Sequence, residues 1–259
     1  MSESGVLDVR KDGKIAHVRL NRPEALNAAN PELHHRLAEV WTELAVDASL
    51  HAVVLSGAGK SFCAGGDLGL IESMANDPAI RASTLQEAER LVKELMGFPL
   101  PIIASIHGAA VGLGCSLASL SDVVVMEESS FLADPHVSVG LVAGDGGAVV
   151  WPLLMSLQRA KYYLFSGERI PASTAKEIGL ANEVVPDGTA GTRAIEIATA
   201  FARQPRQALM DTKRAVNLHL QRAAQGVLEF SLAAEAVSSG SEEHRKIVQK
   251  MREKANRKS

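Results

Sequence analysis

"PIIASIHGAAVGLGCSLA" (Pro101–Ala118) begins as a continuously apolar run and gives way to small residues at Gly108. A short apolar run that stops at turn residues is the pattern of a strand buried on both faces. The small residues that follow let a backbone approach a ligand closely, and a helix beginning among them points its unpaired N–H groups toward negative charge. A strand running into a glycine-rich loop and then a helix is the elementary unit of an α/β protein.

The unit recurs on either side. "AVVLSG" (Ala52–Gly57) is a second buried strand feeding the loop "AGKSFCAGGDL", and "DVVVM" (Asp122–Met126) is a third. Upstream, Asp12-Gly13 lies between two β-prone runs and predicts a hairpin. Asn30-Pro31 predicts a helix start, with Leu33, Leu37, Val40, Trp41 and Leu44 on one face. His34 and His35 are expected to be solvated residues of that helix. Downstream of Gln158 the chain reads as mainly helical. A short helix closed by Gly179 precedes a strand near Val185, and three helical periods follow near Ala190–Arg203, Arg206–His219 and Val227–Val237. The basic segment after His244 reads as a solvated face or a subunit contact. No linker divides the chain and no internal repeat is visible.

The composition removes several function classes. With 27 basic and 30 acidic residues the net charge is −3, so no field for nucleic acid or an anionic membrane is expected. Aromatic residues make up 4%, too few for a base-stacking surface. No apolar leader or run of eighteen apolar residues occurs, which points to the cytoplasm. The eight histidines show no metal-ligand spacing, so no metal site is expected. Cys63 and Cys115 imply no disulfide framework.

Three motifs stand in register: "LNRPEALNA" (Leu20–Ala28), "SGAGKSFCAGGDL" (Ser56–Leu68) and Pro101–Ala118. In this order and spacing they resemble the crotonase superfamily, the enoyl-CoA hydratase/isomerase family, and the resemblance extends over nearly the whole chain. It implies an α/β fold: a spiral of ββα units over residues 1–195, with a helical trimerisation region over 196–259. It also implies an enzyme of fatty acid metabolism acting on an acyl-CoA or another small carbonyl substrate. Coenzyme A would enter as part of the substrate, with no separate cofactor, and the assembly would be a homotrimer or a dimer of trimers. The shared chemistry is a thioester enolate held by two backbone N–H groups, which the resemblance places at Ala64 and Leu113. Lys60, Cys63, Gly65, Gly66, Asp67, Gly112, Gly114 and Ser116 would line the substrate and CoA site. Plainer roles exist for several of these. Asp67 suits a helix cap, the cysteines suit packing, Lys60 suits an exposed loop, and His107 suits a structural position.

Hydratases of this family use two glutamates to activate water. The corresponding positions here are Ser116 and His136, so neither glutamate is present and two-glutamate hydration is not expected. The stretch "FLADPHVSVGLVAGDGGAVVW" (Phe131–Trp151) offers a replacement, with His136 as base and the Asp145 carboxylate on its other ring nitrogen. "PH…GDG…VVWP" locally resembles oxocamphor hydrolase, a relative that cleaves a cyclic β-diketone with water, and a β-diketone hydrolase is the alternative function. Three further readings stay open. Structural capping by Asp145 of the helix after "GDGG" is one. A Ser116–His136–Asp145 acyl-serine set is another. The third is a non-catalytic acyl-CoA or RNA-binding relative.

Overall fold

Asp12-Gly13 turns the chain as its sequence predicts. In the computed structural model, which describes residues 5–257, β1 (Leu7–Asp12) and β2 (Ile15–Leu20) pair antiparallel from Leu7↔Leu20 to Asp12↔Ile15. Helix α1 (Pro31–Ala45) starts at Asn30, whose side chain accepts the Leu33 N–H at 2.9 Å, and its five expected apolar residues are all buried. There follow β3 (Ala52–Gly57), α2 (Leu68–Asn76), α3 (Pro78–Gly97), β4 (Ile102–Ile106), β5 (Ala109–Val111) and α4 (Leu113–Ser119). Next come β6 (Val123–Glu127), β7 (Phe131–Ala133), a 3-10 turn (Val137–Val139), α5 (Gly147–Leu154), α6 (Leu157–Ser166), β8 (Ile170–Pro171), α7 (Ala172–Ile178) and β9 (Glu183–Val185). Helices α8 (Ala190–Ala202), α9 (Arg206–Ala224), α10 (Val227–Ser239) and α11 (Glu242–Asn256) complete the chain.

The large sheet runs β1-β2-β3-β4-β6-β9 and is parallel from β2 onward. Its central strands are continuously apolar because both faces are covered. Val53 and Leu55 of β3 belong to the main core with the buried faces of α1 and α3, whereas Ala52 and Val54 belong to a second cluster with Ala190, Ala194 and Ala198 of α8. A small sheet, β5-β7-β8, takes the next piece of chain after β4 and after β6. Between β4 and β5 only His107 and Gly108 intervene. Gly108 has φ +57, and a Cβ there would overlap the Lys60 carbonyl, so this change of sheet requires glycine. The loop after β3 joins the same sheet through a bridge between Cys63 and Ala110. Strand, second short strand and helix thus succeed one another as the expected spiral.

The expected division at 195/196 falls within α8, which packs on the sheet and belongs to the core. The outer helical region begins with α9, where only Lys213 and Ala224 are buried. Lys213 clamps this region to the sheet: its ammonium donates to the Leu100 carbonyl at 2.8 Å and to Asp122 at 2.6 Å, while Asp122 also accepts the Ile102 N–H at 2.7 Å. No helix among the described residues is long and apolar enough to cross a membrane.

Candidate active site

A cavity of about 320 Å³ lies where the two glycine-rich loops meet α3, α10, α11 and the loop after β7. Its lining is mostly apolar, with Leu70, Ile71, Leu85 and Leu113 among the walls and a few polar side chains converging on it. That composition is typical of a small-molecule site.

The first loop is built around buried Asn27, at φ +57. Its amide donates to the carbonyls of Ala58 and Ser61, both at 2.8 Å, and accepts the Arg22 N–H at 2.8 Å. The Arg22 guanidinium bonds the Ala28 carbonyl and reaches Asp67 at 3.1 Å, and Asp67 caps α2 through the Leu70 N–H at 2.9 Å. Backbone bonds then decide which amides are free. The Ala64 N–H, expected to hold an oxyanion, donates to the Leu26 carbonyl at 3.0 Å and is occupied. Asp67 N–H goes to the Ala29 carbonyl at 2.9 Å. The Gly66 N–H between them has no acceptor among the described residues, and Gly66 lines the cavity.

On the second loop the Gly112 N–H is taken by the Ala133 carbonyl at 3.0 Å. Leu113 opens α4 with no capping side chain, so its N–H is free as expected, and it too lines the cavity. The two loops press together at Gly114, where a Cβ would stand 2.5 Å from the Cys63 carbonyl oxygen. Cys63 donates to the Asn27 carbonyl at 3.2 Å, and burial pushes its thiol up to about 11. Burial likewise raises Cys115 well above the usual thiol range. Both are packing residues rather than nucleophiles. Lys60 is exposed and does not line the cavity, and His107 bonds the Gly59 carbonyl at 3.1 Å as a structural residue.

The charged side of the cavity differs from the expected pair. His136 follows β7 and begins the 3-10 turn; its Nδ1 hydrogen-bonds Asp134, a residue with no part in the sequence reading. Asp145 instead faces Nε2, at 3.8 Å from Oδ1, beyond direct hydrogen-bond reach. Asp145 is not a helix cap: α5 starts two residues later, at Gly147, with Gly146 as an uncapped N-cap. The Ser116 hydroxyl stands 3.0 Å from Asp145 and makes no bond to His136, so the nominal Ser-His-Asp relay is not assembled. Burial disfavours a charged His136, but the Asp134 and Asp145 carboxylates outweigh it and raise the imidazole well above its ordinary value. Burial works against ionised Asp134 as well, yet the His136 cation beside it holds its carboxyl below the usual range. At neutral pH this is an imidazolium–carboxylate pair, not the free base expected.

Sequence reading also missed Glu235, which α10 inserts into the cavity. It is buried, its Oε2 has no hydrogen-bond partner, and burial pushes its carboxyl up to about 8 in spite of nearby His136. The signal for it was a lone glutamate inside the apolar stretch "SLAAEAV". His244 of α11 is also buried in the cavity wall and bonds the Val139 carbonyl at 2.7 Å, pinning α11 over the turn that carries His136. His34, expected in solvent, is 5% exposed and lines the cavity. Packing of α3 against α1 removes it from water.

The family profile described as Enoyl-CoA hydratase/isomerase matches residues 10–258. A short-chain-enoyl-CoA hydratase of Clostridium acetobutylicum is 32% identical over 227 residues, 87% of this chain and 86% of its own. The crystal structure of an enoyl-CoA hydratase/isomerase from Mycobacterium paratuberculosis superposes with a TM-score of 0.92 at 44% identity, covering 95% of this chain and 98% of that one. A β-diketone hydrolase from the cyanobacterium Anabaena, bound to (S)-3-oxocyclohexyl acetic acid, gives a TM-score of 0.82 at 28% identity over 91% and 94% of the two chains. The chain therefore belongs to the enoyl-CoA hydratase/isomerase family of the crotonase superfamily and is an enzyme of that family.

Proposed function

We propose that this enzyme hydrolyses a carbon–carbon bond of a β-dicarbonyl compound. The observation that carries the reading is one cavity lined by Gly66 and Leu113 with free backbone amides, by His136 held from behind by Asp134, by Asp145 and by the buried, unpartnered Glu235. Cleaving a β-dicarbonyl with water builds negative charge on two oxygens in turn, and the cavity holds two separate sets of donors. Enoyl hydration builds it on one.

In this scheme a water sits within hydrogen-bond reach of both Asp145 and His136 Nε2, a position their 3.8 Å separation permits. Asp145 takes a proton as the water oxygen adds to one carbonyl carbon, and the imidazolium steadies the resulting alkoxide. The carbon–carbon bond then breaks. Its electron pair passes into the second carbonyl, whose oxygen is held as an enolate by the Gly66 and Leu113 N–H groups. Glu235 gives its proton to the α-carbon, leaving a carboxylic acid and a ketone. Solvent returns the proton from Asp145 to Glu235.

The free amide pair on two glycine-rich loops also supports a second reading, in which the substrate is an acyl-CoA thioester. The two separate cleanly in experiment. Nuclear magnetic resonance should show ring opening of a cyclic β-diketone whose central carbon carries two methyl groups, while crotonyl-CoA is hydrated far below ordinary hydratase rates. Hydration of crotonyl-CoA at such rates, without ring opening, would overturn the hydrolase reading. Calorimetry with acetyl-CoA reports whether a CoA moiety binds at all.

The assembly proposed is a homotrimer or a dimer of trimers. Val216 of α9 and Phe230 and Val237 of α10 stand exposed, Phe230 at 73%, which supports burial against neighbouring subunits. Sedimentation as a stable monomer at micromolar concentration would exclude it.

A further inference from the structure

The cavity has a second polar feature that the hydrolytic scheme does not use. His34 of α1 points its Nδ1 at Glu87 of α3, 2.9 Å away, and the same carboxylate holds the Nδ1 of His35 at 2.8 Å. The His34 hydrogen bond draws the Glu87 carboxyl below its usual range, although burial opposes this, so Glu87 is an anion that accepts from both rings. The His34 ring is thereby fixed, and its Nε2 has no partner among the described residues. Thr84 lies one turn before Glu87 on the same face of α3. It is buried, lines the same cavity, and its hydroxyl is likewise unpartnered among the described residues. Both residues are buried and line the cavity, and neither polar atom is bonded to another described residue, so both are left for a ligand that enters it.

The pair also has a definite place relative to the reacting groups. Ala88, one further turn along α3, packs with Leu113, Ser116 and Asp145 around a small void. Thr84 is four residues away from Ala88, about 6 Å along the helix. We infer that the substrate carries a hydroxyl group about one helical turn from the bond that is cleaved, and that His34 and Thr84 recognise it. A hydroxyl both donates and accepts, so it satisfies an imidazole nitrogen and a threonine hydroxyl at once. A plain alkyl chain would bury both unpaired. The inference takes the reacting centre from the hydrolase reading but makes its own claim about binding.

The test compares two probes: the cyclic β-diketone with two methyl groups on its central carbon, and the same ring with a hydroxyl on the carbon opposite. Binding is measured by calorimetry and turnover by ring opening, for the wild type, Thr84→Val and His34→Leu. Thr84→Val keeps the shape of the wall and leaves the Glu87 pairs intact, so it guards against loss of folding in His34→Leu. The wild type should favour the hydroxylated ring by about 10–100-fold, since each net hydrogen bond is worth roughly tenfold. Either substitution should bring the ratio of the two probes toward one, a change that a merely structural role would not produce. Ring opening with no hydroxyl preference, or a preference that survives both substitutions, overturns this inference and leaves the hydrolase reading intact. A His34-dependent preference in binding without ring opening overturns the hydrolase reading and supports this inference. Failure of the folded wild type to bind either ring overturns both.

Discussion

The two walls of the cavity are built by different physics. On one side, Gly66 and Leu113 offer backbone N–H groups, and their freedom follows from bonds made within and between two neighbouring loops. On the other, Asp134, His136, Asp145 and Glu235 come from a strand end, a turn and a distant helix. The backbone donors carry partial charge and cost little to bury. The charged side gathers three carboxyls and an imidazole out of water, and it is tolerable only because the protons are shared out: Asp134 and His136 as an ion pair, Glu235 as a neutral acid. A site of this kind takes its geometry from the first wall and its acid–base chemistry from the second.

The sharpest way to break that contrast is Asp145→Asn. It keeps the Ser116 contact but removes the base, and ring opening should fall by about 10²–10⁴-fold. Because His136 and Asp145 act on the same water, His136→Ala combined with Asp145→Asn should be little worse than the more damaging single change. Additive losses in steady-state kinetics would mean the two groups act separately.

Glu235→Gln comes next. Donation from Glu235 requires its proton, so the wild-type rate should decline as pH rises through about 8, and the variant should be slower, by about 10²-fold or more, and lack that limb. Stability moves the other way. The folded carboxyl ionises near 8 and the unfolded one near its ordinary 4.5, so between those values the unfolded state sheds its proton first. The wild type then loses stability as pH rises through this window, with no such penalty below it. Glu235→Gln should therefore gain on the wild type between pH 5 and 8, by a few kcal/mol at the upper end. Denaturant midpoints for both proteins at pH 5 and pH 8 check this, and a constant difference would contradict the raised value.

On the amide side the expected losses are of stability. Asn27→Ala strands the Ala58 and Ser61 carbonyls and places a non-glycine residue without local bonding at positive φ, at a cost of about 2–4 kcal/mol. A lowered melting temperature with the Glu235 limb of the pH profile unmoved would separate this wall from the acidic one. The smallest effect concerns the cysteines. Buried, with thiols held protonated, Cys63 and Cys115 should resist alkylation in the folded enzyme at pH 8. Rapid labelling with loss of activity would show the loops to be far looser than their packing at Gly114 implies.

Much of the backbone was legible in the residues themselves. The Asp12-Gly13 hairpin, the Asn30 cap, the three apolar strands and the Gly179 helix end depend on neighbours a few positions away, and local rules reach that far. His136 and Asp145 were found through spacing and resemblance, but their relation was not. Asp134 took the ring nitrogen meant for Asp145 because it lies two residues away on the same turn. That the Ala64 N–H is already bonded could not be read locally, because its acceptor, Leu26, stands nearly forty positions earlier. His34 looked solvated on a helix wheel and is buried because α3 covers it.

The sequence by itself determined the α/β spiral, the glycine loops, the absence of both hydratase glutamates and the presence of His136 and Asp145. The strands, turns and glycine loops follow from periodicity and turn chemistry, which are properties of short segments. The spiral and the two absent glutamates follow instead from the resemblance of three motifs to a known family. Only the tertiary structure decided which amides are free, which carboxylate holds the histidine and that Glu235 keeps its proton. Those depend on which groups from remote segments share a region without water, where desolvation and pairing between charges set the protonation of each.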